Sequence, residues 1–432
     1  MIVSNLSQSR IYFNNLSSET LNFFNLMNRY GEKRVSFVFI IDFELKSPLI
    51  FELPVPNVPR MNTHDITALD LNAPDTNAFG TNAPNCLQKQ YNHDKYRVSQ
   101  FIFNNFTFNN SDNNNYYNYH NNNYNNYGNN IYNAYKIITN FNTDSCGRYS
   151  RAPHDKRAAH KVWKNKYMKK FPINFETYNN SFKLVADNQK NGNSYLLNLT
   201  FKTPIKIYNF SLEEIFYLSC AKYKLYFKKD DYEFIVFSPE SFVNIDENNR
   251  IFTYPVKGTI NAGLKNAEKI LTDDDKELAE HITVVDLLRN DLNIVSSDVK
   301  VNRFRYTEKI DTNSGSLFQT VSEIEGKLKN NYINKFGDIF LSLLPAGSVS
   351  GAPKDQTLEI IKQAELEPRG YYTGVFGYYD GIKNCLKSSV MIRFIENKNN
   401  RLYYRSGGGI TVYSSALKEY NEMIRKIYVP VY

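Results

Sequence analysis

A chain of 432 residues, 42% hydrophobic and 22% charged, has the proportions of a globular protein with room for one large core or two ordinary ones. It contains no uncharged apolar run of about 18 residues or more, so no membrane span is expected. The net charge of +8 comes from dispersed cations, read here as a solvated surface that favours a small dianionic substrate over nucleic acid.

Met1 to Leu21 is rich in Ser and Asn and has no apolar h-region, which argues against a secretory signal. The expected location is cytoplasmic. An organelle-transit reading stays open because the first acidic residue is Glu19. Residues 35–53 read as strand–turn–strand about Lys46-Ser47-Pro48. Between Asn104 and Asn133, 16 of 30 residues are Asn, interleaved with Tyr, which buries too little to offset the entropy of ordering. This stretch is expected to be a disordered insertion, and its Tyr side chains offer a rival reading as an RNA-stacking surface. Residues 156–170 are basic and read as a linker face.

From Phe171 onward the pattern becomes regular. Asn174 to Asn191 predicts a helix, Tyr195 to Leu199 a strand, and Ser211 to Cys220 a helix opened by a Ser cap. Strands are expected at Tyr223–Phe227, Glu233–Phe237, Arg250–Tyr254, Thr373–Tyr379, Ser388–Glu396 and Arg401–Arg405, and helices at Asp273–Leu288 and Ser415–Tyr428. Strand pairs with short turns, mixed with helices, imply an α+β fold with antiparallel sheet. Three regions follow: 1–60 as strands joining the main fold, 61–165 as the low-complexity insertion, and 166–432 as the catalytic domain.

The four cysteines (Cys86, Cys146, Cys220, Cys385) are widely spaced, which suits a reducing compartment and neither a zinc cluster nor a disulfide framework. Of the six histidines only His281 lies in the later half, so catalysis there must rest on Lys, Glu, Arg and a hard cation. Glu277 with Glu280, and Glu419 with Glu422, are i, i+3 pairs that each share one helical face. Val284, Leu287 and Met423 continue those faces and turn the carboxylates inward. Two such faces could hold Mg²⁺, which prefers oxygen ligands. Arg405-Ser406-Gly407-Gly408-Gly409 is either bare backbone for an anion or a tight turn needing positive φ. Gly347 to Lys354 lacks the spacing of a P-loop and is not read as a nucleotide site. Lys257 follows an apolar strand, where partial desolvation would leave a neutral amine able to attack carbon. Glu240 ends another such strand and could serve as a buried general acid.

In this order the motifs resemble the chorismate-utilising family, which includes anthranilate synthase component I, aminodeoxychorismate synthase component I, isochorismate synthase and salicylate synthase. The resemblance covers Phe171 to Tyr432. It is carried by SPE at 238–240, PVKGT at 255–259, KELAEHITVVDLLRND at 276–291, PAGSVSGAPK at 345–354, RGYYTGVFGYYDG at 369–381 and SGGGITVYSSALKEYNEM at 406–423. The resemblance implies the chorismate-utilising fold, antiparallel sheets flanked by helices. It further implies that Glu280 and Glu422 are the principal Mg²⁺ ligands, supported by Glu277 and Glu419. Gly258 and Thr259 of PVKGT fall among the substrate-binding positions. Tyr372, Arg393 and the Gly407 backbone would hold the enolpyruvyl carboxylate, Lys426 would place a cation near the ring, and Glu240 would help the C4 hydroxyl leave.

Two positions discriminate within the family. Leu196 stands where isochorismate and salicylate synthases carry a water-activating lysine, and Lys257 stands where anthranilate synthases carry alanine. The implied reaction is Mg²⁺-dependent amination of chorismate at C4 through a covalent Lys257 adduct at C2, towards para-aminobenzoate and folate. Ammonia would come from a separate glutamine amidotransferase subunit. Gln319 replaces a histidine found in many relatives and cannot shuttle a proton. The nearest rival is anthranilate synthase component I; a rival of another class is a non-catalytic scaffold or RNA-binding protein.

Overall fold

The computed structural model describes residues 16–53, 116–119, 135–141, 167–219, 221–312 and 315–429. In chain order these form α1 (Ser18–Glu32), β1 (Phe37–Ile41), β2 (Leu49–Glu52), β3 (Tyr116–Tyr119), β4 (Tyr135–Phe141), β5 (Tyr167–Lys170), α2 (Phe175–Lys190), β6 (Leu196–Tyr208), α3 (Leu212–Leu218), β7 (Tyr223–Lys229) and β8 (Tyr232–Ser238). Then come β9 (Ser241–Ile245), β10 (Arg250–Thr253), β11 (Val256–Asn261), α4 (Ala267–Thr272), α5 (Asp275–Val295), β12 (Ser296–Thr312) and β13 (Gly315–Leu328). The chain continues through α6 (Phe336–Leu343), α7 (Gly347–Ser350), β14 (Gly351–Ala352), α8 (Lys354–Ala364), β15 (Val375–Asp380), β16 (Cys385–Val390), β17 (Phe394–Lys398), β18 (Arg401–Ile410) and α9 (Ala416–Arg425).

The strands make two nine-stranded antiparallel sheets. The first runs β11-β13-β10-β9-β16-β15-β1-β2 with β12 beside β13; the second runs β14-β6-β18-β17-β8-β7-β4-β3 with β5 beside β6. Successive strand residues face opposite ways, and here both faces are covered. β1 sends Phe37, Phe39 and Ile41 into a core shared with α1, α5 and α6, and Val38 and Ile40 into a core between the sheets. β8 answers with Phe234 and Val236 towards that central core and Ile235 and Phe237 towards α3. α2, α8 and α9 close the rest of the outer face, packing Tyr178, Ile361 and Met423 on Leu197, Leu199 and Ile410. The result is the expected α+β architecture, built as helices, sheet, sheet, helices. Each of these fully buried aliphatic or aromatic side chains contributes about 1.5–3 kcal/mol.

Local signals set the helix starts. Asn174 caps α2 by accepting from Thr177 N at 2.8 Å. Ser211 and Glu214 form a reciprocal capping box at α3.

Three expectations are corrected. The stretch 388–396 is two strands, because the chain leaves the first sheet after Val390 and enters the second at Phe394, with Arg393 at φ 54 in between. The glycine run is not a turn: Gly407, Gly408 and Gly409 continue β18 and pair with Thr200, Leu199 and Asn198 of β6. The span 61–165 is not uniformly without structure, since β4 pairs along its whole length with β7 and buries Ile137 in the inter-sheet core. β3 pairs with β4 in turn, inside the Asn-rich tract. The remainder of that tract lies outside the described residues. Among the described residues no helix is long and apolar enough to cross a membrane.

Candidate active site

β6 organises the site by its alternation. Leu197, Leu199 and Phe201 face the outer helices, so Leu196, Asn198 and Thr200 face the other way. Leu196 joins the core under α5. β18 lies alongside, and its glycines bring bare backbone up to two groups of side chains. A Cβ built on Gly409 would stand 3.1 Å from Leu196 Cδ1, 3.7 Å from Asn198 Oδ1 and 4.0 Å from Lys257 Nζ. One built on Gly408 would stand 3.6 Å from Lys426 Nζ and 3.7 Å from both Glu419 Oε2 and Glu422 Oε1. A Cβ on Gly407 would meet the Leu199 carbonyl oxygen at 2.3 Å, so this position accepts no side chain.

Lys257 lies on β11 at an irregularity in the pairing with β13. The neighbouring Gly258 has φ +69, and a Cβ there would stand 3.0 Å from Glu277 Oε2. The bulge thus needs glycine, and it presses Glu277 of α5 against the strand that carries the lysine. Thr320 fixes the other side of the bulge by donating its hydroxyl to the Lys257 carbonyl. Thr259 is solvent-exposed, with its backbone opposite Gln319. Gln319 donates to Glu308 at 3.2 Å.

Glu240 sits between β8 and β9, its backbone held by Ser389 Oγ donating to its carbonyl at 2.6 Å. Burial raises the pKa of its carboxyl, against a hydrogen bond from Ser348 and the charges of Lys257, Arg393 and Lys426. A raised carboxyl surrounded by cations is one that can hold a proton and surrender it. At the C-cap of α9, Lys426 bonds Glu422 at 2.8 Å and donates to the Gly407 carbonyl at 3.0 Å. Burial opposes ionisation of Glu422, yet Lys426, Lys257 and Arg425 outweigh it and hold the carboxyl below its ordinary value. Lys426 is itself lowered, chiefly by burial, with Arg393 and Lys257 adding to the effect.

Arg393, at the crossover between the sheets, donates Nε to Tyr428 Oη at 3.3 Å. Tyr372 is 4% exposed, and burial pushes its phenol up to about 12, against the charges of Arg369 and Arg393. Thus Glu240, Lys257, Arg393, Glu422 and Lys426 share one electrostatic neighbourhood, with Glu277 against the Lys257 bulge and Glu419 beside Gly408. The two acidic pairs do not merge into a compact cage: among the described residues no group of three or more His, Cys, Asp or Glu could hold a metal. The donors are all hard oxygens, and two of them, on Glu419 and Glu422, approach one point above Gly408. With Lys426 Nζ nearer that point than either oxygen, at 3.6 Å, a metal ion held there would have to keep several of its waters.

Sequence reasoning gave no role to three residues here. Ser348, in the glycine loop, acts on Glu240 and lowers its carboxyl pKa against burial. Asn198 Nδ2 donates to the Ser348 carbonyl at 3.1 Å. His281 is fully buried, shares a 2.6 Å hydrogen bond with Ser322, and is pushed down to about 4 by burial, then by Arg305 and Lys257. It stands as a neutral imidazole. PAGSVSGAPK could have pointed to Ser348, whereas nothing local in the sequence singles out Asn198.

Comparison with known proteins identifies the family. Residues 78–431 match the family of chorismate binding enzymes. An uncharacterized PabA-like protein of Haemophilus influenzae is 52% identical over 262 residues, 61% of this chain and 78% of that protein. Aminodeoxychorismate synthase component 1 of Bacillus subtilis is 34% identical over 232 residues, and the match spans 52% of this chain and only 47% of that protein. The crystal structure of anthranilate synthase component I from Streptococcus pneumoniae superposes with a TM-score of 0.52 at 27% identity, covering 61% of this chain and 59% of that one. The lysine, the glutamate pairs and the glycine strand are therefore set in a family frame that spans most of the sequence: the chain belongs to the chorismate binding enzymes.

Proposed function

We propose that the protein is the aminating component of a 4-amino-4-deoxychorismate synthase, replacing the C4 hydroxyl of chorismate with ammonia on the way to para-aminobenzoate and folate. The observation that supports this choice within the family is Lys257, whose Nζ reaches the Gly409 strand beside Leu196. A lysine amine reaches the site, and an aliphatic side chain fills the position from which a lysine would activate water.

In this mechanism Arg393, Tyr372 and the Gly407 backbone hold the enolpyruvyl carboxylate, the guanidinium offering a planar fork. Gly258 and Thr259 border the substrate at the bulge. The Lys257 amine forms a bond to C2 as the C4–O bond breaks, and Glu240 donates its proton to the departing hydroxyl, which leaves as water. Ammonia then forms the C4–N bond and the C2–N bond to Lys257 breaks, returning the amine. Two substitutions replace one difficult displacement. Glu280 and Glu422, supported by Glu277 and Glu419, are the residues that would hold Mg²⁺, directly or through water. When bound, that ion would neutralise the ring carboxylate of chorismate. Lys426 orients Glu422 and keeps a cation near the ring. Ammonia is supplied by a separate glutamine amidotransferase subunit.

The likeness to an anthranilate synthase component I supports a second reading, amination at C2 followed by loss of pyruvate. One experiment separates them. Protein is incubated with chorismate, ammonium and Mg²⁺, with metal-free controls, and the product is identified by chromatography and mass. Aminodeoxychorismate is expected; anthranilate, isochorismate or no turnover overturns the proposal. Lys257→Ala is expected to lose at least about 100-fold in C4 amination, as removal of a covalent nucleophile does. Full activity in that variant would refute the covalent route.

A further inference from the structure

We propose that Asn198 is the ammonia-positioning residue of this site: its Oδ1 accepts an N–H of the incoming ammonia and aims the nitrogen lone pair at the substrate. The inference rests on the amination reading above and adds to it a binding site for the second substrate. Asn198 lies on the register of β6 that it shares with Leu196 and Thr200, half-buried. Its side chain and its backbone are each held by one hydrogen bond. Nδ2 donates to the Ser348 carbonyl at 3.1 Å, and the Asn198 backbone carbonyl accepts from Arg369 Nη2 at 2.6 Å. A carbonyl can only accept, so the NH₂ group must face Ser348 and Oδ1 must face away.

Away from Ser348 lies the Gly409 strand, where Oδ1 stands 3.7 Å from the position a Cβ would take, and Lys257 Nζ stands 4.0 Å from that same point. Ser348, the residue that anchors the amide, also acts on Glu240, lowering its carboxyl pKa against burial. Asn198 Oδ1 and the lysine nitrogen that would engage C2 therefore approach the same point on the Gly409 strand. Ammonia has three N–H donors and one lone pair. A neutral acceptor binds one N–H without consuming the lone pair, and its bond strengthens as positive charge grows on nitrogen during attack. A fixed amide makes that contact without reorganising.

The test uses the full chain with chorismate, Mg²⁺ and ammonium chloride. Wild-type product is identified first, which tests the C4 reading separately. Asn198→Leu keeps the size and removes the acceptor; Asn198→Ala does so too and serves if the bulkier variant does not fold. The expected result is an ammonium KM raised on the order of ten-fold, the loss of one hydrogen bond to a nitrogen becoming charged. Chorismate affinity, read by equilibrium dialysis without ammonium, is expected to be unchanged, and the Lys257–substrate adduct still forms by intact mass. An unchanged ammonium KM overturns the proposal. So does a matching loss of chorismate affinity, which marks a structural role, or failure to form the adduct, which assigns the amide to Lys257 instead. Anthranilate as the wild-type product would sink the C4 reading while leaving the ammonium KM of the Asn198 variants to decide this one.

Discussion

Gly407→Ala and Gly408→Ala alter adjacent residues of one strand and are expected to fail in different ways. At Gly407 the new Cβ would lie 2.3 Å from the Leu199 carbonyl oxygen, 2.7 Å from Thr200 Cγ2 and 2.8 Å from Thr200 Cα. The first contact is about 1 Å short of van der Waals separation. Two of the three atoms are backbone and cannot rotate aside, so relief requires β18 to part from β6, at about 1–3 kcal/mol or more. At Gly408 the nearest atoms are 3.6 and 3.7 Å away, ordinary contact distances. Its φ is not positive, so alanine there gains about 0.4–1 kcal/mol from a less free unfolded chain. The two variants should then differ by roughly 2–4 kcal/mol in stability. The Gly408→Ala methyl, however, faces Lys426 Nζ, Glu419 Oε2 and Glu422 Oε1, and fills the space a hydrated cation would need. Urea unfolding followed by circular dichroism, paired with chromatographic assay of chorismate consumption, separates the effects. Gly408→Ala is expected to match or exceed wild type in urea midpoint and to lose most turnover. A Gly408→Ala protein less stable than Gly407→Ala, or one with wild-type turnover, would refute the reasoning.

Lys224 is 4% exposed, donates to the Phe216 and Ser219 carbonyls at 2.9 Å each, and is pushed down by burial to about 7. Unfolded, it titrates near about 10.4, so between these values the unfolded chain binds one more proton and stability rises with pH by about 1.4 kcal/mol per unit. Lys224→Met should remove that slope between about pH 7.5 and 9.5; urea midpoints at both ends check it, and an identical slope in the variant would count against the buried lysine. Arg369 is 1% exposed and bonds Glu365 at 2.6 Å while holding the Asn198 and Val349 carbonyls. Arg369→Leu leaves the Glu365 carboxylate buried without its cation, which should cost about 3–5 kcal/mol in urea unfolding. A loss within about 0.5 kcal/mol would show the pair to be dispensable.

The parts of the fold that were legible in the sequence are those dictated by neighbours in the chain. Ser211 with Glu214 announces a helix start because a capping box is a local contact, and Tyr223–Phe227 and Glu233–Phe237 announce strands because their apolar runs are dense and bounded. What escaped depends on pairing across long separations. Met391, Ile392 and Arg393 look like more strand, and only the competing partners Ser241 and Val236 draw the chain onto different sheets. Gly407 to Gly409 look like a turn because glycine is weak in strands; the close approach of Leu199 and Lys426 explains why it is retained in one. Ile137 is lost in polar sequence and is recruited by β7. Within the site, charged residues in long motifs were easy to pick out. Asn198 and Ser348 were not, because their significance lies in which atoms their amide and hydroxyl face.

The passage from β16 to β17 limits how the molecule can open. Four peptide steps from Val390 to Phe394 reach at most about 14 Å, while stacked sheets lie about 10 Å apart. The tether has little slack, so the two sheets cannot gape like the halves of a shell at the end where Arg393 sits. The arginine that would grip a carboxylate is thereby tied to both sheets.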